Sequence, residues 1–159
     1  MGELVWSPEG AVYLDANCFI YSVERIDPYC AILDILWQSV STGQVKVVTS
    51  ELTLLEVLVK PLKMKNALLV AIYRTVLQTT PDVQMLPITQ SVLEEAARLR
   101  ATTNLKTPDA IHAATASING YTSFITNDEA FRRASHLAVT LLHEMVPIVN
   151  PENPDENVQ

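Results

Sequence analysis

The sequence predicts an α/β fold built around a parallel sheet. Two patterns and a size lead there. Short β-favouring runs alternate along the chain with stretches of helical periodicity. The first of those runs is apolar at every position, as suits a strand covered on both faces. The 159 residues, 48% hydrophobic and only 18% charged, provide for one sizeable core. We expect a single domain over residues 1–149. The last ten residues, 150–159, carry Glu152, Asp155 and Glu156 among prolines and asparagines, and are expected to be a loose acidic tail.

The elements follow in order. Ala11–Leu14 is a β-favouring run that stops at Asp15. From Pro28 to about Val40, Ile32, Leu33, Ile35, Leu36 and Val40 recur at helical spacing until Gly43 breaks it. Val45–Thr49 is the second strand. Ser50 can cap a helix over Glu51–Lys60, which Pro61 should stop. A longer helix is expected from Lys63 to about Gln78, and Val83–Leu86 is a weaker third strand. Ser91 with Glu94 has the form of a capping box for a helix to about Thr102. Thr107-Pro108-Asp109 opens another helix, with the threonine as cap and the proline in the first turn, and Asn119-Gly120 closes it. Tyr121–Thr126 is a strand, Asp128–Ala134 a short helix and Val139–Leu142 the last strand.

Charge and cysteine narrow the function classes. Eleven basic against eighteen acidic residues leave a formal net charge of −7, which argues against a protein that coats nucleic acid through a broad basic surface. No apolar run reaches the ~18 residues needed to cross a bilayer, and Met1–Gly10 holds no Lys or Arg for a secretory n-region. A soluble cytoplasmic protein is expected. Cys18 and Cys30 show no zinc spacing and suit buried thiols in a reducing compartment.

Four acids stand out of place. Asp15 is the only charge between Ala11 and Tyr21, and an ionised carboxylate in such a setting is costly unless paired, hydrogen-bonded or metal-bound. It could instead cap the helix that follows. Glu56 is alone among Leu54, Leu55, Val57 and Leu58, so it points to a narrow solvent stripe or into a cleft. Asp109 and Asp128 each open a helix, where an acid is favoured for its own sake. Each position lies just after a strand end or at a helix start, and an α/β sheet gathers such positions at one edge. Carboxylates so gathered repel one another unless cations offset them. Hard divalent ions such as Mg²⁺ prefer these oxygen ligands, and metal nucleases are built on such clusters.

The segments Tyr13–Tyr21, Ser50–Val57, Thr107–Thr115 and Phe124–Asp128 resemble, in order and spacing, the PIN-domain ribonucleases and among them the VapC-type toxins. The resemblance runs from about Val12 to Val149. It implies a three-layer α/β/α fold with a central parallel sheet of four to five strands. It also implies a Mg²⁺- or Mn²⁺-dependent endoribonuclease that hydrolyses phosphodiester bonds in single-stranded RNA, with a small antitoxin protein as partner. Asp15, Glu56, Asp109 and Asp128 match the family's catalytic, metal-holding quartet, and Asn17 and Thr126 match supporting polar positions. Asp128 is the one that could serve either as a ligand or by orienting water.

Other residues carry less. His112, one helical turn after Asp109, reads as a packed, hydrogen-bonded histidine, with a ligand or proton donor as the alternative. Lys60, Lys63, Lys65 and Arg132 are candidate RNA contacts, against the plainer reading of solvated helix faces. Arg98, Arg100 and Lys106, and Arg133 beside Arg132, are further basic groups near the acids. The stretch Leu68–Ile72 is apolar on more than one face and fits the core, a homodimer or a regulatory partner. Two rivals remain: an aspartyl-phosphate phosphatase, which would want a second Asp where Asn17 stands, and a non-catalytic PIN-like module that binds RNA or protein.

Overall fold

A computed structural model describes residues 10–145. The 150–159 tail and the chain's first nine residues lie outside that range. Five strands run β1 (Gly10–Leu14), β2 (Val45–Ser50), β3 (Val83–Leu86), β4 (Ser123–Thr126) and β5 (Ala138–Leu141). They form one sheet in the order β3-β2-β1-β4-β5, every neighbouring pair parallel. Six helices complete the described fold: α1 (Ala16–Val23), α2 (Tyr29–Ser41), α3 (Leu52–Lys63), α4 (Ala67–Gln78), α5 (Gln90–Thr103) and α6 (Thr107–Ile118).

Strand periodicity of two divides the core into two layers. Val12 and Leu14 of β1, Val47 of β2 and Ile125 of β4 pack with Phe19, Leu33, Leu36, Val57 and Tyr73 from α1 to α4. The intervening residues Tyr13, Val48 and Phe124 pack on the other side with Leu99, Ala110, Ala113 and Ala114 from α5 and α6. The result is the expected α/β/α sandwich. Tyr13 and Phe124 are partners in the β1–β4 register, and their rings stack with centroids 4.8 Å apart. The chain leaves β1 toward β2 and β3, then returns to β4 on the other side of β1. The strand order therefore reverses between β1 and β4, where open parallel sheets form their ligand crevice.

Several boundaries differ from expectation for local reasons. The helix after Asp15, foreseen only through the reading of that residue as a cap, is a full two-turn element. Pro61 does not stop α3. It lies in the last full turn, buried, and the helix runs on to Lys63. The break comes instead from Lys65, at φ 53°, and from Asn66, whose side chain accepts from the Leu69 amide at 3.1 Å and starts α4. Ser50 does supply its hydroxyl to the start of α3, accepting from Leu52 N at 3.0 Å. The cap of α5 is Thr89, whose Oγ1 accepts from Val92 N at 3.2 Å, so Ser91 lies inside the helix. Thr107 is likewise the first residue of α6; its cap is Lys106, which contributes no side-chain bond. The segment after Asp128 is a 3₁₀ turn, Glu129–Arg133.

The two threonine and serine positions at α5 separate in a stability measurement. Thr89→Ala should lower unfolding stability by ~1 kcal/mol through loss of the cap. Ser91→Ala, on an exposed helix position, should stay within about 0.5 kcal/mol of the parent. Equal shifts of the two denaturant midpoints would contradict the cap assignment.

Candidate active site

The carboxyl end of β1 delivers Asp15 to the β1–β4 crevice with only 4% of its surface exposed. Its two oxygens have different tasks. Oδ1 accepts a long 3.4 Å bond from Cys18 N at the start of α1, and Oδ2 accepts a 2.6 Å bond from the Thr126 hydroxyl at the end of β4. The reading of Asp15 as the cap of α1 is met by Oδ1. Burial pushes its carboxyl above the ordinary value, and the Thr126 bond opposes that shift. The Thr126 oxygen also accepts from Asp128 N at 3.1 Å. One hydroxyl therefore joins Asp15 to the turn that carries Asp128. Asp128 in turn uses Oδ1 to cap the 3₁₀ turn at Ala130 N, 2.9 Å away.

Glu56 reaches the same edge from α3 and Asp109 from the first turn of α6. Glu56 Oε1 lies 2.6 Å from Nε2 of His112, and His112 Nδ1 lies 2.7 Å from the Tyr13 hydroxyl. The histidine is buried, packed and bonded through both nitrogens. Asp109 is half-buried. Its carboxyl is raised first by burial and then by the charge of Asp128, with Asp15 and Glu56 adding to the rise and His112 opposing it. All four carboxylates therefore sit within electrostatic reach of one point.

Glu56, Asp109 and Asp128 line a cleft of about 480 Å³ together with Asn104, Lys106 and Arg133. Asp15 lies outside its walls. Among the described residues, Asp15, Asp109 and Asp128 form no ion pair. Nor do any three His, Cys, Asp or Glu side chains stand closely enough to form a ready ion-binding group. The donor set is nonetheless the all-oxygen kind that suits Mg²⁺ or Mn²⁺.

The supporting positions divide. Thr126 is engaged as described, whereas Asn17 is exposed on the first turn of α1. The four basic candidates lie elsewhere. Lys60 is 3.4 Å from Glu24, Lys63 is exposed, Lys65 lines a separate hollow between α3 and α4, and Arg132 pairs twice with Glu144 at 2.8 and 2.7 Å. The cleft takes its cations from Lys106 and Arg133 instead. Their nearness in sequence to Asp109 and Asp128 is the signal that could have singled them out.

Comparison with known proteins bears on the family and the fold. The model of the PIN domain family matches residues 12–137. Among solved structures, the chain is similar to a toxin–antitoxin complex from Klebsiella pneumoniae, with 22% identity over 82% of this chain and 97% of that one, TM-score 0.59. It is similar to VapBC2 from Rickettsia felis bound to a DNA fragment from their promoter, with 17% identity over 82% and 98%, TM-score 0.61. FitAcB from Neisseria gonorrhoeae gives 19% identity over 83% and 98%, TM-score 0.61. At these identities the likeness is one of fold. No curated protein matches the chain.

The crowding of Asp109 has a measurable sign. Its carboxyl is raised in the folded protein, so the ionised form costs folding free energy above that raised value. The cost is absent once the pH falls below the unfolded value near 3.8. Asp109→Asn should therefore raise Tm at pH 7 in chelator, by about 2–4 °C for each kcal/mol relieved, and the gain should shrink toward pH 4. A lower Tm for the variant at pH 7 would show that the charge is not under strain.

Proposed function

Since the chain belongs to the PIN domain family, we propose that it is a divalent-metal-dependent endoribonuclease of the cytoplasm. We propose further that it cleaves single-stranded RNA and is the toxin half of a toxin–antitoxin pair. The observation that carries the nuclease reading is the gathering of Asp15, Glu56, Asp109 and Asp128 at the sheet's reversal point, with Asp109 raised by burial and then by its neighbours' charge. Carboxylates that raise one another in this way are an arrangement that a hard cation relieves.

Asp15, Glu56 and Asp109 would hold Mg²⁺ or Mn²⁺, directly or through water, with Asp128 as a further ligand or a water-orienting group. A bound ion would activate water for attack on phosphorus and offset charge on the leaving oxygen. The residues' own tasks follow from their contacts. Thr126 donates to Asp15 and favours its charged form against burial. Lys106 and Arg133 stand in the same cleft as the acids, where they can meet the phosphates on either side of the scissile bond. No covalent enzyme intermediate is required. Asn17 supplies no acid–base carboxylate beside Asp15, which leaves an aspartyl-phosphate mechanism without its second acid.

The partner reading rests on fold neighbours described as toxin–antitoxin complexes. No helix among the described residues is long and apolar enough to cross a membrane. Within the Leu68–Ile72 stretch, Val70 is buried while Leu68 is 73% exposed, and Leu55, Leu62 and Met64 are exposed on α3 and beside it. That apolar face is the candidate surface for a second copy of the chain.

Purified protein should cleave single-stranded RNA with Mg²⁺ or Mn²⁺ and lose cleavage on addition of excess chelator. Asp15→Ala and Asp109→Ala should each abolish it; cleavage surviving in both variants would sink the site assignment. Lys106→Ala and Arg133→Ala should each lower kcat/KM about 10-fold, equivalent to ~1.4 kcal/mol, with most of the loss in KM. Lys60→Ala and Arg132→Ala should change it little. The reverse ranking would return the phosphate contacts to the helix faces.

A further inference from the structure

A buried chain of three side chains from three elements ends on one of the proposed metal-holding acids. Tyr13 lies on β1 and is fully buried, His112 on α6 is 2% exposed, and Glu56 on α3 is half-buried at the edge of the cleft. The Tyr13 hydroxyl is 2.7 Å from His112 Nδ1, and His112 Nε2 is 2.6 Å from Glu56 Oε1. We propose that Tyr13 and His112 form a positioning relay, in which Tyr13 fixes the orientation of the histidine ring and the histidine fixes the Glu56 carboxylate for cation binding.

The proton inventory gives the relay a direction. A carboxylate only accepts, so the Nε2 atom facing Glu56 must carry a hydrogen. The Tyr13 hydroxyl can donate, and burial makes its ionised form strongly unfavourable. It stays protonated beside Nδ1, and the ring keeps a hydrogen on Nε2 toward Glu56. Glu56 then has Oε1 tied to the histidine, which leaves Oε2 for a cation. The Tyr13 ring is held independently by its stack on Phe124, so the hydroxyl's position does not depend on Glu56. A histidine bonded at only one nitrogen could turn about its bond to the backbone. This one is held at both ends, and that rigidity passes to a glutamate whose own side chain has three rotatable bonds. Outer partners of this kind commonly alter metal affinity by ~10–100-fold.

The relay rests on the metal-site reading above, and the test separates the two. Mn²⁺ binding to the full-length protein is measured by calorimetry for the wild type, Tyr13→Phe, His112→Leu and His112→Gln, each checked for an intact thermal transition. The nitrogen-15 shifts of the His112 ring are read in the metal-free wild type and in Tyr13→Phe. The expected result is a ring hydrogen on Nε2 in both proteins, with Mn²⁺ bound more weakly by Tyr13→Phe, which loses the hold on Nδ1, than by the wild type. His112→Leu should bind Mn²⁺ ~10–100-fold more weakly. His112→Gln, whose amide nitrogen can stand near the place of Nε2, should recover most of that loss. A structural filler would not distinguish leucine from glutamine. Equal Mn²⁺ affinity in the leucine variant and the wild type, or a wild-type Nδ1–H tautomer, overturns the relay while leaving the metal site standing. A wild type that binds no Mn²⁺ overturns the metal site, and the relay's purpose with it.

Discussion

Asp15 is a carboxylate almost wholly removed from water at the end of the central strand, and much of the molecule is arranged around making that tolerable. Withdrawing an ionised acid from solvent costs several kcal/mol unless donors replace the lost water. The strongest replacement is Thr126, and it comes from a strand that follows β1 by more than a hundred residues. The β1–β4 register sets Tyr13 beside Phe124 and Leu14 beside Ile125, and its continuation brings Asp15 to Thr126. A slip of one residue would turn each of these side chains to the opposite face. It would also leave the acid without its short bond. The apolar packing of the two layers and the chemistry of the edge are therefore fixed by one alignment.

Most of the fold and the acids of the candidate site were legible in the sequence, whereas the contacts those acids make were not, for physical reasons. Parallel strands buried on both faces leave unbroken apolar runs, so Ala11–Leu14 and Val45–Thr49 announce themselves. Asp15 was conspicuous because a lone charge in an apolar stretch demands a reason. Glu56 and His112 were each ambiguous for the converse reason. Either could have been an ordinary helix residue, and only the fold brings together two positions separated by 56 residues. Caps misled because Ser91 and Thr107 have the right chemistry one or two places from where the backbone turns; Thr89 alone reaches the orphan amide at α5. Arg132 and Arg133 are adjacent in sequence, yet Glu144 engages one and the cleft receives the other.

The negative balance of the chain also takes on a local meaning. A uniformly acidic surface would repel a polyanion, whereas here Glu56, Asp109 and Asp128 line one cleft beside Lys106 and Arg133. Among the described residues no cation pairs with Asp109 or Asp128, an arrangement that a divalent ion would relieve under the proposed function. Under the proposed function, ion binding would precede substrate binding for electrostatic reasons alone. The Glu56–His112 pair further separates the acids, because Glu56 is bonded to the histidine ring while Asp109 is crowded by other carboxylates.

The 111 residues between Asp15 and Thr126 have a temporal consequence. A ribosome adds about 5–20 residues per second, and nascent domains organise from the N-terminus onward. Roughly 6–20 s therefore pass between synthesis of the two ends of that bond. Through that interval β1 has β2 on one flank and an open edge on the other, and its terminal acid lacks its short hydrogen bond. Pairing of distant strands is among the slowest steps in folding. The β1–β4 edge is thus among the last features the polypeptide completes, and under the proposed function the chain should emerge from translation inert before it becomes competent.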